Sequence, residues 1–454
     1  MPKGLLVLGV AEALILLFAM YVGEVVRFTG EEEIPADSPI FVQSVLFVAV
    51  MLVVMTALGL YQRDVKEGEW GYFPRLGASF LVGLAVMSSI FYVLPSLFVG
   101  RGVVGFSFAI ALAGLTLARY SYIKLSDHEV IKRRVLVLGA GSRAYRVGEL
   151  ERQLGPAAGF HVVGYLPINS THPAIDPRKL IGETNSLESL VRTRRIEEIV
   201  VGIRDRRGAL PIKDILKCKL AGVSVVDLPT FFERETGRIE LETLNTSWLI
   251  FSDGFSQGPV KAVIKRAFDM AVSVLVLLFA WPVMALTALL IYREDGGPIF
   301  YKQQRVGQGG RVFELMKFRS MRVDAEGDGK PQWARKDDDR TTRVGRFIRK
   351  VRIDELPQLF NVLRGDMSFV GPRPERPFFV EQLSREIPYY NARHALKPGI
   401  TGWAQVRYPY GASVEDAIQK LQYDLYYVKN NTLFLDLIVL FQTARVVIWN
   451  EGAR

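Results

Sequence analysis

The chain has 454 residues, of which 49% are hydrophobic and 23% charged, and its net charge at neutral pH is +10. A mean hydropathy of +0.18 excludes a disordered chain, and one cysteine with four histidines excludes a disulfide framework and leaves little for a zinc site. The positive charge indicates anionic partners such as phosphates or acidic lipid headgroups.

Four apolar segments occupy the first quarter of the chain, and they predict four transmembrane helices within residues 1–125. Most approach the roughly 20 residues that cross the hydrocarbon core, and the fourth is short. Buried core helices are the alternative, but four such segments in succession carry few charges. The segments are residues 5–26, 39–60, 76–98 and 103–118.

The charges that flank these segments predict their orientation. The first loop carries Glu31, Glu32, Glu33 and Asp37. Basic residues instead follow the fourth segment, namely Arg119, Lys124, Lys132, Arg133 and Arg134. The positive-inside rule therefore places the N-terminus and everything after the fourth segment in the cytoplasm.

Residues 131–245 predict a Rossmann-like α/β domain with a doubly wound sheet. A short strand at 135–138 precedes Gly139 and Gly141, and a helical pattern follows, which is the context in which backbone N–H groups hold a phosphate. A nucleotide bound at this loop is one interpretation; glycines that serve only the tight turn are the other. Further strands are expected at residues 160–166, 198–203 and 223–228.

After a predicted linker at 246–260, a fifth apolar stretch covers residues 267–292. Both of its flanks are basic, so a full crossing would place one basic flank and the whole C-terminal third outside. Pro282 lies near its middle, where a proline removes a backbone hydrogen bond and kinks a helix. We expect a re-entrant helix that enters one leaflet and returns; a straight fifth crossing is the alternative.

The last third of the chain holds most of the positive charge. Residues 301–400 contain 21 Lys and Arg against 13 Asp and Glu, interleaved with Gly and Pro motifs. Nucleic acid is one possible partner, but no RNP pattern, zinc finger or helix-turn-helix is present. A site for phosphorylated small molecules fits better, and we expect no nucleic-acid partner.

Several basic motifs in this region are candidates for phosphate or substrate binding. Lys317 and Arg319 would point to the same face of an extended segment. A rigid turn of Pro372, Arg373 and Pro374 would present one guanidinium group.

A pair of carboxylates, Asp354 and Glu355, precedes Pro357 and predicts the start of a helix. The helix dipole, with Arg349 upstream, should keep Asp354 ionised beside bound phosphates. An ionised Asp354 is a candidate nucleophile toward phosphorus, and a second carboxylate, Glu355, suits Mg²⁺. A capped surface helix is the alternative for such a pair.

From residue 261 to the C-terminus the sequence resembles the bacterial sugar transferases, or monotopic phosphoglycosyl transferases. The whole layout is similar to their long subgroup, which initiates exopolysaccharide or O-antigen assembly. The motifs that carry the resemblance are Lys-Arg-x-Phe-Asp at 265–269, Lys-Phe-Arg-Ser-Met at 317–321, Asp-Glu-Leu-Pro-Gln-Leu-Phe-Asn-Val-Leu at 354–363, Gly-Asp-Met-Ser at 365–368, Gly-Pro-Arg-Pro at 371–374 and Pro-Gly-Ile-Thr-Gly at 398–402.

The resemblance implies transfer of a sugar-1-phosphate from a UDP-sugar to polyprenyl phosphate, usually undecaprenyl phosphate. It implies that Asp354 forms a phosphosugar–enzyme intermediate and that Glu355 is its Mg²⁺-associated partner. Three basic residues match positions linked with phosphate binding or site assembly, namely Lys317, Arg349 and Arg373. Pro282 matches the proline that breaks the family's re-entrant helix, although Trp281 stands where many members have Ser.

We therefore expect a membrane protein of mixed α and α/β class with a mostly helical catalytic domain at residues 261–454. The expected location is the bacterial inner membrane with the catalytic domain on the cytoplasmic face, in contact with membrane lipids and as a homodimer. An NAD-dependent nucleotide-sugar dehydratase is one rival, although its Tyr-x-x-x-Lys pattern occurs only at Tyr120–Lys124. A non-catalytic scaffold for polysaccharide assembly is the other. Nothing in the motifs identifies the sugar.

Overall fold

A computed structural model of the chain separates into two compact units, Met1–Phe231 and Phe232–Arg454. The acidic first loop, residues 31–37, whose charge predicts the orientation of the apolar helices in the membrane, lies outside the described residues. The structure describes residues 3–28, 40–58, 60–61, 72–126, 132–155, 158–171, 175–182, 186–203, 210–244, 246–252, 254–255, 258–322, 340–408, 411 and 413–449.

The first unit begins with four apolar helices, as the sequence predicts. They are α1 (Lys3–Phe28), α2 (Ile40–Ala57), α3 (Tyr72–Val93) and α4 (Arg101–Ser126). Among the described residues, four helices are long and apolar enough to cross a membrane, but α2 is a shorter apolar helix and the fourth is α10 of the second unit. These lengths and compositions indicate a membrane protein.

Helix α4 is longer than the predicted segment 103–118 because a charged residue is buried rather than terminal. Arg119 is 3% exposed and forms an ion pair with Glu12 of α1 at 2.6 Å. Tyr61 donates a 2.5 Å hydrogen bond to the same carboxylate. Charged side chains inside apolar bundles pair with one another in this way, so the helix continues through a residue that the hydropathy pattern treats as its end.

The α/β part of the first unit is built on a four-stranded, wholly parallel sheet. Its strands are β1 (Arg133–Ala140), β2 (Phe160–Thr171), β3 (Glu198–Val201) and β4 (Ser224–Asp227), and its helices are α5 (Ser142–Leu154), α6 (Leu187–Thr193) and α7 (Ile212–Leu220). The strand order is β2-β1-β3-β4. This is the flavodoxin-like doubly wound order, not the 3-2-1-4 order of dinucleotide-binding folds.

The glycine loop after β1 has a clear structural role. Gly139 has φ +105°, and a Cβ there would lie 2.7 Å from the side chain of Ile203. Gly141 precedes α5, and Ala144 in its first turn packs closely against Gly202 at the end of β3. A tight turn and close packing thus account for the glycines, and a nucleotide bound at this loop stays a prediction.

The second unit is mainly helical and carries two small sheets. After α8 (Leu228–Thr236), which contains the boundary between the units, its helices are α9 (Thr246–Phe251), α10 (Pro259–Asp295), α11 (Arg343–Lys350), α12 (Gln358–Arg364), α13 (Pro377–Glu386), α14 (Trp403–Arg407), α15 (Val414–Asn430) and α16 (Leu433–Trp449). An antiparallel hairpin joins β5 (Phe300–Val306) to β6 (Val312–Phe318), and β7 (Ser368–Val370) pairs in parallel with β8 (Gly399–Thr401).

The segment expected to be a linker, 246–260, contributes to the core of this unit. Trp248 of α9 is buried with Val380 and Leu425, and the Lys429 ammonium group lies 4.2 Å from its ring centroid. Helix α9 therefore packs as part of the second unit rather than connecting freely.

Helix α10 contains the predicted apolar stretch and runs as one helix of 37 residues through Pro282. At 1.5 Å per residue it would be about 55 Å long if straight, well above the roughly 30 Å of a hydrocarbon core. Most side chains near its middle are exposed and apolar, including Leu278, Phe279 and Trp281. The helix thus presents a long apolar surface that the rest of the described unit does not cover.

Candidate active site

Asp354 and Glu355 lie on a single 3₁₀ turn between two short helices. The turn covers Ile353–Glu355, and α12 begins three residues later at Gln358 with Pro357 as its N-cap. The sequence predicts a helix start at this place, and the structure divides it into a 3₁₀ turn and an α-helix. The preceding residue, Arg352, has the left-handed conformation with φ 61°.

Glu355 is held by two cations that come from distant parts of the chain. Lys317, near the end of β6, approaches its Oε1 at 2.9 Å, and Arg373 approaches the same oxygen at 3.2 Å. The Glu355 side chain is only 12% exposed. The structure thus brings together Lys317, Glu355 and Arg373 as a single charged cluster.

Asp354 is 8% exposed and is not held in this way. Within the described part of the chain, no group donates a hydrogen bond to its carboxylate. Its surroundings are nevertheless charged, because Lys317, Arg352 and Arg349 all act electrostatically on it. A buried carboxylate with free lone pairs beside a fixed cationic cluster is suited to react with an incoming electrophile.

The two carboxyl groups have opposite pKa shifts. Burial raises the pKa of Asp354 above its ordinary value, and Glu355 adds to the rise, while the cations only partly oppose it. Burial also raises the pKa of Glu355, but Lys317 and Arg373 together outweigh it and hold that pKa far below its usual range. The sequence predicts an ionised Asp354 from the helix dipole and Arg349, and it does not show the burial that raises the pKa of Asp354.

Arg373 reaches Glu355 because the backbone of its turn is held on both sides. Arg393 donates to the Arg373 carbonyl at 2.9 Å and forms a buried 2.7 Å ion pair with Asp424. Arg305 donates to the Pro374 carbonyl at 3.0 Å. Pro372 and Pro374 are buried in this turn, and their contribution is to its shape.

The turn that carries Arg373 is also fixed where the chain after β7 packs closely against the chain that leads into β8. Gly371 lies against the chain at Lys397–Gly399, and a Cβ at Gly371 would collide with the Lys397 carbonyl. Glycine is required there by space rather than by backbone conformation.

Arg319 does not join the cluster, although Lys317 does. Its guanidinium group donates to the carbonyls of Gly297 and Gly296 at 2.7 and 2.9 Å and lies 3.5 Å from Asp295. It therefore holds the C-terminal end of α10. The alternation of residues along a strand predicts that Lys317 and Arg319 share a face. It does not predict that backbone carbonyls bind Arg319 instead.

Two residues near the site, Arg352 and Asp269, were not predicted as site residues from the sequence. Arg352 acts electrostatically on both carboxyl groups, and a basic residue two positions before Asp354 was the available signal. Asp269 on α10 accepts hydrogen bonds from the Ser368 hydroxyl at 2.8 Å and from the Phe369 N–H at 3.2 Å. Nothing in the local sequence predicts that partnership across 99 residues.

The donor set fits Mg²⁺ in a limited sense. Among the described residues no group of three or more Asp, Glu, His or Cys side chains could hold a metal. Asp354 and the second oxygen of Glu355 nevertheless supply two carboxylate donors, and Mg²⁺ commonly uses one or two carboxylates together with substrate phosphates.

The rival dehydratase interpretation finds no support in the placement of its candidate residues. Tyr120 lies within α4, which is one of the candidate membrane helices, and it is 45% exposed. It belongs to the first compact unit, whereas the charged cluster belongs to the second.

Comparison with known proteins matches this region to the family profile described as "Bacterial sugar transferase", over residues 260–450. One similar protein is the UDP-N-acetylgalactosamine-undecaprenyl-phosphate N-acetylgalactosaminephosphotransferase of Aeromonas hydrophila. It is 43% identical over 261 residues, which cover 57% of this chain and 61% of that relative.

Two UDP-glucose:undecaprenyl-phosphate glucose-1-phosphate transferases are similar over longer alignments. That of Xanthomonas campestris pv. campestris is 32% identical over 372 residues, covering 78% of this chain and 75% of the relative. That of Escherichia coli K12 is 32% identical over 331 residues, covering 72% and 70%.

Proposed function

This chain belongs to the bacterial sugar transferase family, and we propose that it transfers a sugar-1-phosphate from a UDP-sugar to undecaprenyl phosphate. The names of the relatives supply both the donor and the acceptor class. One observation carries the proposal: Asp354 accepts no hydrogen bond from the described residues, while its neighbour Glu355 is fixed by Lys317 and Arg373. The free carboxylate is thus placed beside two ordered cations.

In the first step a carboxylate oxygen of Asp354 attacks the sugar-bearing phosphorus of the UDP-sugar. A P–O bond to Asp354 forms, the phosphoanhydride bond breaks, and UMP leaves with the electron pair. Lys317 and Arg373 offset the charge of the diphosphate, as preorganised cations do in other phosphoryl transfers.

In the second step a phosphate oxygen of the acceptor lipid attacks the phosphorus of the aspartyl intermediate. The bond to Asp354 breaks, its carboxylate is regenerated, and the product is a polyprenyl-diphosphate-sugar. Two displacements at one carboxylate predict ping-pong kinetics. Mg²⁺ held by Glu355 and the donor phosphates would neutralise charge on the diphosphate when bound.

The contacts of α10 support a re-entrant helix. Near its start, Arg266 donates to the carbonyls of Val362 and Leu363 in α12. Near its end, Glu294 accepts hydrogen bonds from the first N–H groups of α11. Both ends therefore contact the same compact unit, which favours a helix that returns to its own side of the membrane over one that crosses it.

The remaining parts of the proposal concern location and assembly. The catalytic unit faces the cytoplasm at the bacterial inner membrane, where a soluble nucleotide and a lipid phosphate meet, and the enzyme acts in exopolysaccharide or O-antigen synthesis as a homodimer. The sugar is a further variable, since the relatives named above use different ones.

The test is UMP release by the purified full-length protein with undecaprenyl phosphate, Mg²⁺ and a panel of UDP-sugars. We expect at least one donor to give steady UMP release, and Asp354→Asn to lose it by about a thousandfold or more because the nucleophile is gone. Glu381→Gln, at an exposed surface pair with Arg385, is the control and should remain active. Unchanged activity of Asp354→Asn would contradict the proposal.

A further inference from the structure

An apolar groove runs between the second half of α10 and α11. Its volume is about 350 Å³. The one hydroxyl among its lining residues, that of Thr287, donates its proton to the Val283 carbonyl at 2.8 Å. The lining residues are Val283, Leu286, Thr287, Leu290, Arg343, Val344, Phe347, Ile348 and Ile353.

The walls of the groove are fixed by contacts beneath and beside it. Met284 and Ile291 of α10 are buried with Ile348 of α11 and Phe318 of β6 in one apolar cluster. The Glu294 carboxylate accepts from the N–H of Arg343 at 2.8 Å, which ties the start of α11 to α10. The groove is thus preformed, as sites for apolar ligands usually are.

One end of the groove adjoins the reacting carboxylate. Ile353 lines the groove, and the next residue along the same 3₁₀ turn is Asp354. Helix α11, which forms one wall, carries Arg349 in its last turn, and the charge of Arg349 acts on Asp354. A molecule in the groove therefore has a mainly apolar lining, to which Arg343 also contributes, and at Ile353 it lies one residue from Asp354.

We propose that this groove binds the first isoprenyl units of the acceptor lipid and so delivers its phosphate to the Asp354 intermediate. This inference rests on the proposed function. An isoprenyl chain is favoured because its phosphate is attached directly to the chain, so the chain must reach the site of phosphoryl transfer, as this groove does. In a bilayer phospholipid the glycerol separates the acyl chains from the phosphate, which would hold the chains away from Ile353.

A matched pair of tryptophan variants tests the inference. Leu290 lines the groove, and its neighbour Leu289 does not; they are 41% and 45% exposed. Leu290→Trp fills the groove, whereas Leu289→Trp adds the same bulk on a different side of the helix. Both would be studied in the full-length protein, with undecaprenyl phosphate and with dimethylallyl phosphate, which has a single isoprene unit, as acceptors.

Two quantities are measured separately, adduct formation from the UDP-sugar alone and kcat/KM for each acceptor. We expect Leu290→Trp to form the adduct at a near-normal rate and to lose about tenfold or more in kcat/KM for undecaprenyl phosphate, since several buried methylene-sized groups lose their contacts. Its kcat/KM for dimethylallyl phosphate should change much less. Leu289→Trp should have the same ratio of kcat/KM for the two acceptors as the unaltered protein.

The outcomes are distinguishable. If adduct formation is normal and the two variants have the same acceptor preference, the groove does not hold the acceptor chain and the inference is wrong. An equal loss in both variants would likewise contradict it, because the effect would then belong to the lipid-facing helix surface in general. If the unaltered protein forms no adduct with any UDP-sugar, the proposed function fails and this inference fails with it.

Discussion

At Asp354 and Glu355 two adjacent carboxyl groups differ because, among the described residues, cations lie within hydrogen-bond distance of Glu355 and not of Asp354. Lys317 and Arg373 satisfy Glu355, so its charge is stabilised and it has a fixed position. Asp354 is buried with no such partner among the described residues, and its pKa rises. This difference is the basis for the proposed roles, in which Glu355 positions the cations and Asp354 forms the bond to phosphorus.

The pH dependence of adduct formation follows from this difference. In the proposed mechanism the ionised carboxylate is the nucleophile, so the rate should fall as the pH falls through the raised pKa of Asp354, which lies above the ordinary value of about 3.9. Glu355 stays ionised over that range, since its pKa is lowered. A rate that is flat down to the ordinary Asp pKa would contradict the assignment of Asp354 as a buried nucleophile.

Replacing Lys317 tests the same point by charge removal. Lys317→Met deletes the largest influence that lowers the pKa of Asp354, so the acid limb of the rate profile should move to higher pH. The maximum rate should fall about a hundredfold, as on loss of one preorganised charge at a transition state. Lys302→Met, at an exposed pair with Glu314 on the same hairpin, is the control and should leave the profile in place.

At the residue scale, the sequence predicted which residues form the site better than it predicted which groups they contact. Spacing and family resemblance selected Lys317, Glu355 and Arg373, and the structure brings the three together. The same alternation selected Arg319, but Arg319 donates hydrogen bonds to backbone carbonyls at the end of α10 instead. Those carbonyls belong to a helix end whose place relative to β6 depends on the tertiary fold.

Among the elements, α10 is the one on which the site depends most. Its first half is fixed to β7 through Asp269, whose carboxylate accepts from Lys265 at 2.8 Å as well as from the Ser368 hydroxyl and the Phe369 N–H. Strand β7 leads directly into the turn that carries Arg373. The buried contact therefore links the apolar helix to the cation that holds Glu355.

Removing the charge of Asp269 should weaken this link. Asp269→Asn cannot accept all three hydrogen bonds, so we expect a loss of about 2 kcal/mol in unfolding free energy, which is typical of a broken buried polar contact. Denaturant unfolding of the detergent-solubilised protein measures it. Glu314→Gln, at an exposed pair, should change stability by no more than about 0.5 kcal/mol, and an equally small change in Asp269→Asn would contradict the account.

Element positions were predictable where one physical signal dominates. The four parallel strands follow from short runs of β-branched and apolar residues such as Val135–Leu138. The end of α4 was missed because Arg119, which hydropathy treats as a boundary, is buried with Glu12. The sheet order and the 3₁₀ turn at Asp354 depend on contacts between distant residues, which local pattern does not contain.

At the scale of the whole molecule, the charges that flank the apolar helices and the lengths of these helices predict a membrane topology that can be tested. The positive-inside rule places the N-terminus and the catalytic unit on one side, and the two anchored ends of α10 favour its return to that side. The region between α3 and α4, around Ser96, should then lie on the opposite side.

Single cysteines introduced into a Cys218→Ser background would test this topology. Lys261→Cys and Arg311→Cys lie on either side of the apolar stretch 267–292 of α10, and Ser96→Cys reports on the other face. With a membrane-impermeant maleimide on intact cells we expect labelling of Ser96→Cys alone, and labelling of the other two only after permeabilisation. External labelling of exactly one of the two α10 flanks would show a straight crossing and would contradict the re-entrant helix.

The most direct test of the central claim is the mass of the protein after reaction with the UDP-sugar in the absence of acceptor lipid. The account predicts one added phosphosugar, located by acidic peptide mapping on the tryptic peptide of residues 353–364, absent from Asp354→Asn and lost when undecaprenyl phosphate is supplied. Release of UMP without any mass added to the protein, or an adduct on a different residue, would contradict it.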